Sequence, residues 1–410
     1  MCLGFPAWEG DYQKSTVQLM QALARQQRVL YVEYPFTWKD AWRGLRGGNP
    51  PWRRMLGLEP RLRSFPSHGP GHLHVLTLPP LLPVNGLDPG APYERLAEAN
   101  AEVARRSIRR ALQQLGYHAP LLLNAFNPFL GAYLHDRLDA CASYYYCYDE
   151  IGAARWTHRH GPRLEARLLP QVDGLIASSQ PLLTEKGQGS GPEAQLLLKN
   201  GVNVSLFERA FAPHAPKLGP LTLGYLGSVD DRLDVDLLLY LLDQWPQARL
   251  LLVGRISHAA VGARLGQHPR VELAGPQPLE ELPLWLRRMH VGLIPFVRNA
   301  FTRYIYPLKI NEYLAAGLPV VSTAFGELQD FYEVAQVVDG PDQFLAACQQ
   351  AVAYDQPAQR KMRRAFARQQ SWQGRAHELT AWLSARHQLT ASPADGAPDR
   401  LPMAAARVRA

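Results

Sequence analysis

The stretch YPLKINEYLAAGLPVVST, residues 306–323, decides the fold. Pro307 suits the first turn of a helix, where a missing N–H costs nothing. Gly317 suits the position just past a helix end, where a left-handed conformation is common. The run LPVVST (318–323) is apolar and β-branched, as in a strand buried in a parallel sheet. The sequence therefore predicts a short helix that leads directly into a buried strand.

Lys309 and Glu312 give this predicted helix its functional interest. Residues three apart share one helix face, about 4.5 Å apart along the axis. A helix N-terminus attracts anions, and the helix dipole disfavours a cation such as Lys309 there unless a phosphate binds beside it. Glu312, one turn deeper, would then accept hydrogen bonds from hydroxyls next to that phosphate, such as those of a ribose. The alternative is an i,i+3 ion pair on a solvated face.

Length and composition describe a folded chain of two domains. The chain has 410 residues, a length that exceeds what one core usually supports. Hydrophobic residues make up 47% of it and charged residues 20%. A formal net charge of +8 suits anionic partners without choosing among them. No apolar run reaches the roughly 20 residues that span a bilayer, and no signal-peptide pattern opens the sequence. We therefore expect a cytoplasmic protein, whose membrane contact would be peripheral and at the inner face. The sequence has four cysteines, Cys2, Cys141, Cys147 and Cys348. Their spacing is not that of a zinc site, which favours free thiols.

Strand and helix patterns alternate in both halves, which predicts parallel sheets covered by helices. The proline-rich segment FAPHAPKLGP indicates a linker between them. We expect an α/β protein with two facing, doubly wound Rossmann-like domains and a ligand cleft between them, at the carboxyl ends of the strands. The predicted segments are an N-terminal domain (1–210), a linker (211–220), a C-terminal domain (221–355), further helices (356–388) and a disordered tail (389–410).

The segment GYLGSVDDRLDVD, residues 224–236, predicts a strand, a glycine turn and the start of a helix. Gly227 permits a close approach of the backbone to a ligand. Arg232 offers a planar fork that suits phosphate oxygens. The aspartates of this segment are best interpreted as helix N-caps, and two aspartates two residues apart on a helix do not face each other. We therefore expect no metal site here.

Two further strands end in glycine, at Gly254 and Gly275. The loops that follow them, with Arg255 in the first, are candidates for holding a nucleobase through backbone groups. The alternative is that both glycines serve only as turn residues.

With these motifs placed, the chain resembles the nucleotide-sugar glycosyltransferases with two facing Rossmann-like domains (the GT-B type), and in particular their large retaining family 4. The resemblance covers residues from about 143 to 380, and the first 140 residues match only in broad pattern. It implies that the first domain (1–210) is the acceptor side, that the second (221–355) binds the nucleotide sugar, and that the closing helices (356–388) return toward the first domain. The segments that carry it are IPF (294–296), PLKINEYLAAGLPVVST (307–323), KNGVNVSLF (199–207), GYLGSVDDRLD (224–234), SWQGRAHEL (371–379) and DGLIASSQPL (173–182).

The resemblance implies roles for single residues. Glu312 would bind the ribose hydroxyls of the donor, and Arg232 and Lys309 would neutralise its diphosphate as the glycosidic bond breaks, without a metal or a cofactor. Members of the family often have a second Glu eight residues before the first, but this chain has Tyr304 there. We therefore expect Thr302 and Tyr306 as alternative donor contacts. Retention is likewise implied by resemblance only, through a same-face displacement assisted by the donor phosphate.

Asp149 follows the predicted strand SYYYCY (143–148), where the family often has a His before an acidic residue. This carboxylate is a candidate for orienting an acceptor hydroxyl, and the alternative is a capping role after the strand. His158 and His160, spaced by one residue, are predicted to be solvated rather than metal-bound.

Residues 36–63 interleave tryptophans with lysine and arginine, which suits an anionic membrane surface. Because prolines and glycines interrupt the segment, we expect a loop that brings the enzyme to a lipid-linked or glycan acceptor. The alternative is a simple solvated basic loop.

The leading interpretation is a glycosyltransferase that moves a sugar from a nucleotide-sugar donor, in cell-surface polysaccharide synthesis. A sugar-nucleotide epimerase of the same architecture is the first alternative, and it would need acid and base groups that converge on the sugar. A basic nucleic-acid-binding protein is the second. We do not expect nucleic acid as a partner, because the positive charge is not confined to one helix and no recognition module is evident.

Overall fold

The computed structural model describes residues 1–10, 14–153, 157–189, 191–214 and 219–387. They divide into two compact units, the first with residues 1–10, 14–198 and those from 376 onward, and the second with residues 199–375. The predicted tail (389–410) and the centre of the predicted linker (215–218) lie outside the described residues. No helix among the residues described is both long enough and apolar enough to cross a membrane.

In the described part of the first unit, eight strands form one sheet in the order β3-β4-β2-β1-β5-β6-β7-β8, and only β3 runs antiparallel to its neighbour. The strands are β1 (Cys2–Gly4), β2 (Arg28–Val32), β3 (Leu62–Phe65), β4 (His72–Leu76), β5 (Leu121–Ala125), β6 (Ala142–Cys147), β7 (Gly174–Ala177) and β8 (Gln195–Leu197). The helices are α1 (Ser15–Leu23), α2 (Trp38–Leu45), α3 (Trp52–Met55), α4 (Ala91–Leu115), α5 (Pro128–Leu134), α6 (Gly161–Leu168) and α7 (Gln180–Lys186).

The expectation of a loop across residues 36–63 is wrong, because this segment contains α2, α3 and the start of β3. The signal for α2 lies in its first residues. The Asp40 carboxylate accepts hydrogen bonds from the N–H and the hydroxyl of Thr37, both at 2.8 Å. Such a cap stabilises a helix start by about 1 kcal/mol. Helix α2 is therefore stable even though glycines follow it in the sequence.

In the second unit, the described residues form a six-stranded sheet with the order β11-β10-β9-β12-β13-β14, in which all neighbours are parallel. Its strands are β9 (Thr222–Leu226), β10 (Arg249–Val253), β11 (Val271–Gly275), β12 (Val291–Ile294), β13 (Val320–Thr323) and β14 (Gln336–Val338). The helices from here on are α8 (Val204–Phe207), α9 (Val235–Gln244), α10 (Ala259–Gly266), α11 (Leu282–Arg287), α12 (Leu308–Ala315), α13 (Pro341–Ala353), α14 (Pro357–Gln369) and α15 (Trp372–His387).

The strand order of the second sheet is that of a doubly wound dinucleotide fold, whose order reverses between the first and fourth strands. Here those strands are β9 and β12, which pair directly. Ligands of such sheets bind outside the carboxyl ends of the strands at this reversal. The two Rossmann-like α/β units confirm the predicted fold class, and the switch point places the candidate site on the second unit.

The helix and strand predicted from residues 306–323 are present as α12 and β13. Pro307 lies at the N-cap of α12, and Gly317 follows the helix with a φ of 75°. The second unit begins after Leu198, earlier than the predicted linker, because residues that follow it bond to the α12 region. The Asn200 amide donates to the Tyr306 carbonyl at 3.3 Å, and the Asn311 amide donates to the Asn200 carbonyl at 3.4 Å.

Candidate active site

Three glycines lie at the carboxyl ends of neighbouring strands, Gly227 after β9, Gly254 after β10 and Gly275 at the end of β11. Gly254 donates its N–H to the Gly275 carbonyl at 2.9 Å. A Cβ on Gly254 would lie 1.9 Å from the Gly227 carbonyl oxygen, whereas a Cβ on Gly275 would meet open space. Packing therefore requires glycine at position 254. At position 275, glycine is needed only because the backbone there is left-handed. The three glycines therefore lie side by side at the carboxyl edge of the sheet.

The loop after β9 is joined to the loop after β12, across the point where the strand order reverses. The Val297 N–H donates to the Arg232 carbonyl, and the Asp234 N–H donates to the Pro295 carbonyl, each at 2.8 Å. These bonds fix the backbone of Arg232 at the switch point. The loop that carries Arg232, the side chain predicted to bind phosphate, is therefore held by backbone hydrogen bonds at Arg232 and at Asp234.

The Arg232 guanidinium is oriented by its own loop. Its Nε and Nη2 donate to the two carboxylate oxygens of Asp230 at 2.8 and 2.6 Å, and its Cζ lies 5.5 Å from the centre of the Phe296 ring. Of the aspartates predicted as N-caps, Asp234 caps α9 by accepting from the Leu237 N–H at 2.9 Å. Asp230 instead holds the arginine in a bidentate pair, which restricts the direction of its fork.

Helix α12 is locked against the sheet by Tyr313, a residue that sequence reasoning missed. The Leu226 N–H, at the end of β9, donates to the Tyr313 hydroxyl oxygen at 2.7 Å. A Cβ on Gly292 of β12 would lie 2.6 Å from the ring, so the glycine makes room for it. Burial raises the pKa of Tyr313 well above its usual range. The available signal was a tyrosine on the helix together with a glycine inside a buried strand.

Lys309 and Glu312 form the predicted i,i+3 pair, with Nζ 3.0 Å from Oε2. The pair does not lie on a solvated face, because the Glu312 side chain is only 4% exposed, against 30% for Lys309. Burial raises the pKa of Glu312, and the Lys309 ammonium opposes that rise. In a parallel sheet the connecting helix runs antiparallel to the strands. The first turn of α12 therefore lies at the same carboxyl edge as Gly227 and Arg232.

The remaining donor-site candidates shape the loops. Thr302 is fully buried, and its hydroxyl donates to the Val297 carbonyl at 2.7 Å and accepts from the Asn299 N–H at 3.1 Å. Tyr306 is also buried, which raises its pKa to about 12. Arg255 exposes its side chain, while its carbonyl accepts from the Val229 N–H at 2.8 Å. Direct contacts of these three with a ligand stay predictions.

In the first unit, Asp149 follows β6, and its Oδ1 accepts from the Glu150 N–H at 2.9 Å. Its role toward an acceptor stays a prediction. His158 is exposed, as expected, but the expectation of a solvated His160 is wrong. The His160 ring stacks on Tyr93 with centroids 3.8 Å apart, and burial lowers its pKa. The residues that the structure describes contain no group of three or more potential metal ligands.

Sequence reasoning also missed a cavity of about 500 Å³ in the first unit. Phe5, Tyr34 and Phe129 contribute to its walls, and Lys39 and Arg43 of α2 line it as well. These residues are far apart in the sequence, so no local motif could have indicated the cavity.

Comparison with known proteins agrees with this geometry. Residues 220–354 match the family model described as "Glycosyl transferases group 1", which favours the transferase over the epimerase and nucleic-acid-binding interpretations. A curated relative, the putative teichuronic acid biosynthesis glycosyltransferase TuaH of Bacillus subtilis (strain 168), is 30% identical over 222 residues. This match covers 51% of the present chain and 56% of TuaH, so the chain spans little more than half the length of that relative.

Solved structures with similar folds cover nearly the whole chain. Sucrose-phosphate synthase from Thermosynechococcus elongatus has a TM-score of 0.64 at 20% identity, over 90% of this chain and 92% of its own. The UDP-forming trehalose-phosphate synthase of Burkholderia vietnamiensis scores 0.65 at 12% identity, over 94% and 98%. HepE of Anabaena, solved with UDP-glucose, scores 0.60 at 15% identity over the same shares.

These neighbours establish the architecture, and the assignment to the retaining family 4 stays a prediction. The chain therefore has the two-domain GT-B fold, and its residues 220–354 match the family model of the glycosyl transferases group 1.

Proposed function

We propose that the protein is a glycosyltransferase that moves a sugar from a nucleotide-sugar donor to a glycan or lipid-linked acceptor in cell-surface polysaccharide synthesis. The observation that carries the proposal is the pair Lys309–Glu312 in the first turns of α12, at the switch point of the second sheet. The names of two relatives support it, since TuaH is described for teichuronic acid biosynthesis and HepE was solved with UDP-glucose.

The donor would bind along the carboxyl edge of the second sheet. The glycine edge at Gly227 and Gly254 admits the nucleoside close to main-chain groups. Lys309 and Arg232 supply fixed positive charge for the diphosphate. Glu312, whose carboxylate is already held by Lys309, accepts hydrogen bonds from the ribose hydroxyls. Because the pair exists before a donor binds, little ordering entropy is lost on binding.

The transfer step forms a bond between the acceptor oxygen and the anomeric carbon while the bond from that carbon to the donor phosphate breaks. The acceptor proton passes to the departing phosphate oxygen on the same face, which gives retention. Negative charge grows on the leaving nucleotide, and Lys309 and Arg232 stabilise it without a metal. Asp149 orients the acceptor hydroxyl. Addition of EDTA is expected to leave the rate unchanged.

A peripheral membrane contact belongs to the same proposal. Helix α2 exposes Trp38, Trp42 and Leu45 by 52%, 58% and 50%, and their spacing places all three on one face. The guanidinium of Arg46 lies 4.6 Å from the Trp42 ring centre. Aromatic residues beside cations suit an anionic lipid surface. Flotation with anionic vesicles at low salt tests this contact, and a failure of the protein to float would contradict it.

The donor assignment is tested with a thermal-shift panel of UDP-, GDP-, ADP- and dTDP-sugars, because a bound donor stabilises the fold by mass action. One nucleotide class is expected to raise the melting temperature, and that donor is then incubated with the protein alone. Slow release of free sugar, with the donor's anomeric configuration in the first-formed product by NMR, supports retaining transfer. Interconversion of two nucleotide sugars would contradict the proposal, as would the absence of a thermal shift with every donor.

A further inference from the structure

The first unit contains a cavity whose walls are formed at the carboxyl ends of its parallel strands. Phe5 follows β1, Tyr34 follows β2 and Phe129 follows β5, and the segment 81–86 closes the remaining side. Its volume of about 500 Å³ lies within the range of small-molecule sites.

The polar side chains in the cavity wall are largely used within the protein. Asn100 accepts from the Leu82 N–H at 2.7 Å and donates to the Leu82 carbonyl at 2.9 Å. Asp40 accepts from Thr37 and pairs with Arg43. Because these groups are already bonded, the aromatic and aliphatic side chains of the wall are what remains for an apolar part of a ligand. Such a surface suits an apolar group better than the many hydroxyls of a bare sugar.

Two cations of α2 line the cavity beside this apolar surface. Lys39 is exposed and has no ion pair among the residues that the structure describes. The Arg43 side chain is 68% exposed and pairs only with Asp40 of its own helix. Arg43 also lines a second cavity of about 490 Å³, where Arg54 is a further cation and Glu9 and Glu33 contribute two carboxylates. In the lining of the first cavity, the single carboxylate of Asp40 stands against the two cations. The balance of charge therefore favours an anion in the first cavity, on the side of Lys39.

The helix that supplies these cations is the one that exposes an apolar stripe. Trp38, Trp42 and Leu45 project from α2, so a lipid surface that receives the stripe would also lie beside Lys39 and Arg43. A ligand that enters from this surface would bring its apolar part and its charged group together. The occupant that meets all these conditions is an amphiphile with a phosphate.

We propose that the first-unit cavity binds a phosphate-bearing lipid, with its phosphate at Lys39 and Arg43 and the first part of its chain against Phe5 and Phe129. The inference rests on the proposed function, because it names this lipid as the carrier of the acceptor. Phosphate oxygens accept charge-assisted hydrogen bonds from both cations, and the apolar wall contributes in proportion to the area that it buries.

Isothermal titration of the full chain tests the proposal with three probes: farnesyl phosphate, farnesol and inorganic phosphate. Farnesyl phosphate is expected to bind more tightly than either of the others. Lys39→Ala and Arg43→Ala, both at exposed positions, should each weaken its binding about tenfold. Val84→Trp fills the cavity from its half-buried rim and should abolish that binding. Lys361→Ala, an exposed lysine of α14, is the matched control and should have no effect.

Three outcomes would overturn the assignment. Equal binding of inorganic phosphate would leave an anion site without a lipid, and equal binding of farnesol would leave an apolar site without a phosphate. Unchanged binding in the Val84→Trp variant would place the lipid elsewhere, such as on the exposed stripe. The nucleotide sugars of the thermal-shift panel are titrated in parallel with each variant. If the unaltered chain bound none of them, the result would count against the proposed function, whereas binding of one of them without binding of farnesyl phosphate would count against the cavity alone.

Discussion

In the second unit the carboxyl ends of the strands carry glycines and an ion pair, whereas in the first unit the corresponding ends carry aromatic rings around a cavity. Gly227 and Gly254 lie at that edge without side chains, and Lys309 and Glu312 form an ion pair in α12, the helix that begins at the same edge. Phe5 and Phe129 instead enclose volume. The two proposals therefore assign two kinds of recognition to the same edge of an α/β sheet, one by backbone and charge and one by apolar shape. We therefore expect the removal of one charge, or the addition of one methyl group to a glycine, to have larger effects in the second unit than in the first.

The largest effect is expected from Lys309→Ala. Removal of a fixed charge that faces a developing negative charge typically lowers turnover by about 10²–10³-fold. Initial rates with the donor found by the thermal-shift panel measure this loss, and Lys361→Ala serves as the matched control. Arg43→Ala sharpens the comparison, because it should leave donor binding intact. A variant at Lys309 with turnover within twofold of the unaltered protein would refute the role of α12.

The next effect separates packing from backbone strain at the glycine edge. Gly254 and Gly275 have φ values of 154° and 70°, so alanine is strained at both. Only at 254 would the new Cβ meet a carbonyl oxygen, at 1.9 Å. Gly254→Ala is expected to cost about 2–4 kcal/mol of unfolding free energy, against about 1 kcal/mol for Gly275→Ala. Urea denaturation measures both free energies of unfolding. Equal losses in the two variants would show that the Gly227 carbonyl moves away from the new Cβ at little cost in free energy.

The comparison also explains what the sequence could predict. Helix α12 and strand β13 were predictable because Pro307 and Gly317 are local signals, readable without knowledge of the rest of the fold. The contact that locks this helix joins Tyr313 to Leu226, and nothing in the neighbourhood of either residue indicates it. The α12 helix and the strand after it were therefore predicted from a motif, but the interaction that positions them was not, and their role in a donor site stays a prediction.

In the first unit, the cavity combines loops that follow β1, β2 and β5 with the segment 81–86. No spacing along the chain marks such a site, because its residues come together only when the sheet forms. The same limit applies to α2, where prolines and glycines further on obscured a capped start at Thr37. The strands β3 and β4 were missed as well. Local chemistry was thus visible in the sequence, whereas enclosed volume was not.

A smaller effect is expected from Asp230→Asn, which tests whether Asp230 positions Arg232. The variant keeps the shape of the side chain but weakens its two hydrogen bonds to the guanidinium. We expect kcat to fall about tenfold with little change in KM, because a misdirected fork loses contact chiefly in the transition state. Asp236→Asn is the control, since Asp236 is exposed and pairs with Arg264. Equal changes in the two variants would assign Asp230 a merely structural role.

The smallest effect is expected in the pH dependence of the melting temperature of Glu312→Gln. This variant tests whether the carboxylate lowers the stability of the fold while it serves donor binding. Burial raises the pKa of Glu312 in the folded protein, so the folded state favours the protonated form. The stability that comes from this preference is fully present below the unfolded pKa and is lost as the pH rises through the folded pKa. Glutamine is neutral throughout and escapes that loss. The melting temperature of Glu312→Gln should therefore gain on that of the unaltered protein as the pH rises above the pKa of an unfolded glutamate, about 4.3. The gain should be a few degrees, since 1 kcal/mol moves the midpoint by about 2–4 °C in domains of this size. Donor binding by the variant should nevertheless weaken, because an amide replaces the carboxylate that we propose binds the ribose. A difference in melting temperature that stays flat or shrinks with pH would mean that Lys309 fully offsets the burial of Glu312, and that the donor site carries no stability cost.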